Sequence, residues 1–285
     1  MGFIDALFYY DFLQKALLTS VMVGVICGVI GCFIILRGMA MMGEAISHAV
    51  LPGVALSYML GINFFFGAVF TGVLTAIGIG YISQNSRIKH DTSIGIMFTA
   101  AFALGIILIT MLKTSTDLYH ILFGNVLAVR PSDMWITLSI GVIVLLSVYL
   151  FYKELLVTSF DPTMAAAYGL PNRIIHYFLM TLLTMVTVAS LQTVGIVLVV
   201  AMLITPAATA YLLTDRLSVM IFVSAIIGAS TAVIGLYFSF VYNMASGATI
   251  VLAATSMFFL AFLFSPKQGI LWRELSAKRK RKRLT

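Results

Sequence analysis

Charge is scarce in this sequence. Of its 285 residues 9% are charged and 61% hydrophobic, and the mean hydropathy is +1.10. That balance excludes an ordinary water-soluble domain, in which about a quarter of the residues carry charge, and places the chain in a bilayer. Cysteine is nearly absent. Cys27 and Cys32 are the only two, five apart in "VICGVIGC", where a helix does not set them on one face; they exclude a disulfide framework and read as small packing residues. The phosphate-loop pattern G-x-x-x-x-G-K-[ST] occurs nowhere, so a Walker-type nucleotide site would have to come from another polypeptide. A basic leader is missing as well: Asp5 and Asp11 stand where a secretion signal would carry Lys or Arg, and the chain reads as mature from residue 1, inserted through its own helices.

What is present is a series of long uncharged stretches. Residues 16–36, 92–112 and 134–152 each match the length one helix needs to cross a ~30 Å hydrocarbon core. Three stretches are about twice as long: 45–86, 174–214 and 217–266, with turn-like breaks at Gly61-Ile62-Asn63, at Ser190 to Gly195 and at Tyr242 to Gly247. Each predicts a helical hairpin, because backbone polar groups in lipid must be satisfied within helices. The expectation is an all-α polytopic membrane protein with eight to nine spans, in which a short piece such as 45–60 stands as a partial or broken helix. Residues 1–270 form the membrane domain and 271–285 a basic tail. If that tail is cytoplasmic, alternation puts 14 Lys and Arg inside against 3 outside, a strong positive-inside bias. Residues 273–283 alone carry seven basic side chains and one acid, which accounts for most of the net charge of +7. Beside a membrane such a tail sets orientation and contacts anionic lipid; it does not call for nucleic acid.

Against this background "GEAISHAVLPG", 43–53, is unusual. Glu44 and His48 are four apart and share one helix face, and no further Asp, Glu, Lys or Arg follows until Arg87. An ionisable side chain at bilayer depth costs about 2.5–3.5 kcal/mol on insertion scales and persists where it faces a cavity or a partner. Gly38, Gly43, Pro52 and Gly53 surround the pair and can break helix and free backbone groups, which is tolerated where a polar path satisfies them. Carboxylate oxygen with imidazole nitrogen suits divalent manganese, zinc or iron. Met39, Met41 and Met42 also admit copper(I), but a carboxylate suits that soft ion poorly. Two ligands do not make a site. A symmetric dimer with this helix at its axis supplies four.

A second feature is "TSFDPTMAAAYGLPNR", 158–173. Asp161 suits an N-cap, Pro162 the first helical turn, Gly169 the C′ position and Pro171 the stop, predicting a short helix over 162–168. Its Ala165-Ala166-Ala167 surface carries no charge, which fits either an interfacial turn or a knob docking into another protein. Further residues carry weaker signals. Asp117 and His120, in the external loop of roughly 113–133, admit either an entry role for metal or ordinary loop roles. His90, in the basic turn "SRIKHD", reads as solvated, and His176 as a cap of the sixth span. Pro206 removes a helix donor in mid-span. Ala201, Thr205 and Thr209 recur every four residues, as close packing or a kinked gating helix requires.

The stretches "GCFIILRGMAMMGEAISHAVLPGVALS" (31–57), "STDLYHILFGNVLAV" (115–129), "SFDPTMAAAYGL" (159–170) and "VGIVLVVAMLITPAATAYLL" (194–213) together resemble the membrane permease of metal-type ATP-binding-cassette importers, those for manganese, zinc or iron. The likeness extends from about residue 10 to 269 and is nearest in character to bacterial manganese permeases. It implies a type II importer-like permease in a bacterial plasma membrane, multi-pass with its C-terminus cytoplasmic. Implied partners are cytoplasmic ATPase subunits that bind the ATP, an extracytoplasmic metal-binding lipoprotein, and a second permease copy, with no resident cofactor and no enzymatic step on this chain. It implies metal coordination by Glu44 and His48, where relatives often carry the shorter Asp at position 44. It also implies ATPase coupling through 159–170, so through Asp161, Pro162, Ala165, Ala166 and Gly169. From the residues themselves, Pro52, Thr205 and Pro206 are the candidates for gating beside the pathway. The rival reading is a secondary divalent-metal carrier driven by an ion gradient. Its Asp-Pro element would lie within a span, and here Asp161-Pro162 lies between spans.

Overall fold

The computed structural model describes residues 3–112 and 126–265. It is built from helices: α1 (Phe3–Tyr9), α2 (Asp11–Leu36), α3 (Ala40–Ala49), α4 (Leu51–Leu60), α5 (Phe64–Asn85), α6 (His90–Leu112), α7 (Pro131–Leu150), α8 (Tyr152–Phe160), α9 (Pro162–Ala167), α10 (Asn172–Val194), α11 (Ile196–Leu213), α12 (Leu217–Tyr242) and α13 (Ser246–Phe264), with a 3-10 turn at Val126–Ala128. Eight of these are long and apolar enough to cross a membrane: α2, α5, α6, α7, α10, α11, α12 and α13. The three expected hairpins lie at α3–α5, α10–α11 and α12–α13. In the first, the leading arm is divided at Val50 into two ten-residue helices, so the broken-helix alternative describes it.

α2 is the central beam. It is buried along most of its length and packs chiefly on α12 and α11, with α7 beside it. Small residues let the backbones meet. A Cβ on Gly24 would stand 2.5 Å from the carbonyl oxygen of Gly228, and a Cβ on Gly228 would strike the Gly24 carbonyl in return. In lipid, where apolar surface has no water to escape, such close van der Waals approach is what holds helices together. Cys27 and Cys32 serve the same packing: both are fully buried, with the Cys32 thiol 3.2 Å from the Gly28 carbonyl that lies one turn back.

α3 lies against α5, α6, α10 and α11, and α4 against α5 and α6. The pair runs antiparallel to α5: Gly53 abuts the Gly67 backbone, and Gly72 faces Ile46 and Val50. Gly53 therefore serves close packing, and the break is made elsewhere.

Candidate functional site

The elements that present Glu44 and His48 begin at the end of α2. Gly38 adopts φ +65, a left-handed value that favours glycine. The Met39 N–H donates to the Ile34 carbonyl at 2.9 Å and the Gly38 N–H to that of Ile35 at 3.1 Å, the paired bonds of a Schellman stop. α3 then starts after a new turn and ends at Val50. Pro52 occupies the first turn of α4; it has no N–H for the carbonyl of His48 four residues back, and this is what divides the arm.

Along α3, Met42, Gly43, Ala45, Ile46, Ser47 and Ala49 are buried, whereas Met41 and Glu44 are exposed and His48 is half-buried. The acid and the imidazole thus occupy the open face of a helix whose other faces are packed. The His48 ring is held by two aromatic edges from α6, with centroids 5.5 Å from Phe98 and 5.4 Å from Phe102, the latter nearly perpendicular at 88°. Its Nδ1 is buried and has no hydrogen-bond partner among the described residues. Among those residues no group of three or more His, Cys, Asp or Glu converges; Glu44 and His48 stand as a pair. In the sequence Phe98 and Phe102 carry no signal beyond their i, i+4 spacing on α6.

Asp117 and His120 lie outside the described residues, as does the basic tail. His90 is not solvated: half-buried, its ring meets that of His176 edge-on at 6.3 Å, and both its nitrogens are buried without partners among the described residues. The α10 side chain packs over it, a tertiary effect that the neighbouring Arg87, Lys89 and Asp91 conceal. His176 does not cap α10, which starts at Asn172 behind Pro171. Pro206 is buried inside α11, which runs on through it. Thr209 is buried and bonds back to the Thr205 carbonyl at 2.7 Å, and Thr205 is half-buried.

The short helix α9 forms for the reasons its residues suggest. The Asp161 carboxylate accepts from the backbone N–H of Thr163 at 3.0 Å and of Met164 at 2.9 Å and from the Thr163 hydroxyl at 2.6 Å. These bonds, the Thr163 hydroxyl first, hold the carboxyl below the usual range. At the other end Gly169, at φ +75, and Leu170 donate to the carbonyls of Ala166 and Ala165, closing a second Schellman stop. The three alanines are not equivalent. Ala165 is fully buried against its own chain, while Met164, Ala166, Ala167 and Tyr168 are exposed, so Ala165 is corrected from docking surface to internal anchor.

α8, an additional helix, leads into α9 with Asp161 between them. Arg37, the residue that caps α2, reaches it: Nη2 donates to the Thr158 hydroxyl at 2.7 Å and Nε to the Ser159 hydroxyl at 3.0 Å. Burial draws this guanidinium down to about 10, and it remains charged at neutral pH.

A bundle of membrane-crossing helices, with an exposed carboxylate and a half-buried imidazole on a broken arm and a capped helix between spans, is the architecture of a polytopic membrane subunit. The comparisons agree. Residues 9–265 match the model of the ABC 3 transport family, and the chain belongs to that family. It is 67% identical over 272 residues to the manganese transport system membrane protein MntC of Listeria monocytogenes serovar 1/2a, covering 95% of this chain and 97% of the relative. It is 55% identical over 273 residues to the manganese import system permease protein ScaB of Streptococcus gordonii, covering 96% and 98%. Among solved structures, PsaBC from Streptococcus pneumoniae in complex with Fab superposes with a TM-score of 0.87 at 55% identity over 97% of this chain and 98% of that one. A metal-chelate type ABC transporter in an inward-facing conformation, at 15% identity and a TM-score of 0.68, covers 87% of this chain and 84% of its own and shares the fold.

Proposed function

We propose that this chain is the membrane permease of an ATP-driven importer of divalent transition metal, with manganese as cargo. The observation that carries the reading is the open face of α3: a carboxylate and an imidazole side by side, two donors where an ion needs four or more. Two copies facing each other across a two-fold axis complete the set with two Glu44 and two His48. The carboxylates offset the ion's charge, and the neutral imidazoles supply nitrogen donors. Relatives at 55–67% identity that carry manganese in their names support the choice of ion.

Energy enters from elsewhere. α9 presents Met164, Ala166, Ala167 and Tyr168, an uncharged surface on a helix capped at both ends, and this face docks on a separate cytoplasmic ATPase subunit. Capture of metal outside the membrane falls to a metal-binding lipoprotein, and the basic tail lies on the cytoplasmic side against anionic lipid. Pro52, Thr205 and Pro206 border the path of the ion. The deciding experiment is manganese uptake by cells expressing Glu44→Gln or His48→Ala, with permease levels in the membrane measured in parallel. Both variants should lose uptake: Glu44 is exposed, so Glu44→Gln should do so at unchanged level, and for His48→Ala, whose ring rests on Phe98 and Phe102, uptake is scaled to the permease level measured. Full uptake by Glu44→Gln at equal expression would remove the carboxylate from the site and turn attention to Asp117 and His120.

A further inference from the structure

We propose that Arg37 is a positioning residue that carries displacement of the α8–α9 unit to the helix bearing Glu44 and His48. The inference rests on the proposed function in two places, the docking of α9 on an ATPase and the binding of cargo by α3.

The unit α8–α9 moves as one piece. The Asp161 N–H donates to the Val157 carbonyl at 2.9 Å, closing α8, while the same residue's carboxylate caps α9. Leu155 on α8 and Ala165 on α9 are both fully buried and the two helices pack on each other, while the Asn172 amide at the start of α10 donates to the Pro162 carbonyl at 2.6 Å and fixes the far side of α9. A push on α9 is therefore delivered to Thr158 and Ser159.

Arg37 receives it through two hydrogen bonds from one planar group. A fork on two adjacent acceptors fixes direction as well as distance, which a lysine ammonium cannot do. Both hydroxyls also lie within bonding distance of carbonyls one turn back, Thr158 at 2.7 Å from that of Glu154 and Ser159 at 2.6 Å from that of Leu155, so their lone pairs are held toward the guanidinium. On its own side Arg37 is the last residue before the turn into α3, with Gly38 and Met39 between. Met39 is buried and its N–H is tied to Ile34. The Gly38 N–H is tied as well, to the Ile35 carbonyl at 3.1 Å, so the turn from Arg37 into α3 is held by two backbone bonds. Glu44 is seven positions from the guanidinium, most of that distance along rigid helix.

The test reconstitutes the permease with its ATPase subunits and manganese-loaded binding protein in liposomes and measures manganese moved per ATP hydrolysed. Arg37→Gln and the pair Thr158→Val with Ser159→Ala should each keep the ATPase bound and hydrolysing while the ratio falls about tenfold or more, the scale of a lost charged hydrogen bond. Combining all three should add little, because one linkage has already been cut. Arg37→Lys should recover part of the ratio. If Arg37→Gln does not accumulate in the membrane, the hydroxyl pair, which removes no charge, decides alone. A wild-type ratio in that pair overturns the proposal. So does a loss of transport strictly in proportion to hydrolysis and to thermal stability, the pattern of a mere staple. Failure of the underlying reading shows differently: ATPase bound normally to Ala166→Arg rejects the docking face, and full uptake by Glu44→Gln rejects the cargo site, whatever the Arg37 variants do.

Discussion

Ala165 and Ala166 are neighbours in one short helix, and the structure assigns them opposite sensitivities to the same substitution. Ala166 is exposed. Arginine there costs only about 0.2 kcal/mol in helix propensity, so folding is unaffected. In the docked complex the charge is driven into a packed uncharged contact without a partner, a penalty of about 3 kcal/mol or more, which is roughly a hundredfold in affinity. Ala165 is fully buried against its own chain. Arginine there must both overpack, at about 1–3 kcal/mol, and bury a charge, so the α8–α9 unit itself should come apart. Titration of the ATPase subunit against permease in nanodiscs, alongside thermal unfolding of each variant, separates the two effects. Ala166→Arg should unfold normally and bind about a hundredfold more weakly; Ala165→Arg should unfold early. Wild-type affinity in Ala166→Arg would refute the docking face, and a stable, fully binding Ala165→Arg would refute the packing from which both predictions are drawn.

Deleting residues 278–285 should leave manganese uptake intact and at most weaken contact with anionic lipid or orientation; loss of ATPase binding on deletion would assign the tail a coupling role. Gly24→Ala places a methyl on the Gly228 carbonyl and should destabilise the bundle by about 1–3 kcal/mol, read as a fall in the unfolding temperature in detergent. Phe102→Leu should raise the manganese concentration for half-maximal uptake severalfold with permease levels unchanged, since it frees the His48 plane while keeping apolar volume; an unaltered concentration dependence would mean that the ring is held by other contacts. The Asp161 carboxyl is held below its usual value, so its cap is complete above the unfolded value near ~3.9 and is lost only as pH falls through the lower folded one. ATPase docking should therefore be flat between pH 8 and about 5.5, and a midpoint within that window would exclude the cap as its source.

The spans were legible because lipid leaves a helix no other way to satisfy its backbone, so uncharged length alone marks them. The divided arm was half legible: Pro52 announced a break, but Gly53, which looked like part of it, serves the contact with Gly67 instead. α8 was hidden by its own residues, since Tyr152 completes the preceding uncharged stretch and Lys153 and Glu154 read as a simple exit from the membrane. Three consecutive alanines have no apolar contrast, and nothing in the sequence tells Ala165 from Ala166. Glu44 and His48 stood out by isolation. Arg37 did not, because an arginine at the end of a span is ordinary until Thr158 and Ser159, more than a hundred residues on, are seen to receive it.

The Nδ1 of His48, which has no hydrogen-bond partner among the described residues, bears on dwell time. Metal-bound imidazoles are ordinarily backed by an acceptor on the second nitrogen, and such partners are worth about 10–100-fold in affinity. Here Phe98 and Phe102 steady the plane of the ring, but contribute nothing to its basicity. An ion arriving at about 10⁸ M⁻¹s⁻¹ and held at a Kd of about 10⁻⁹ M would stay on the order of ten seconds; a hundredfold weaker hold shortens that to about a tenth of a second. Catalytic cycles commonly run at about one per second or faster. If His48 takes the ion through Nε2 in the proposed paired site, an imidazole without that backing would release it within a single cycle, and a fully buttressed one would still be occupied when the next arrived.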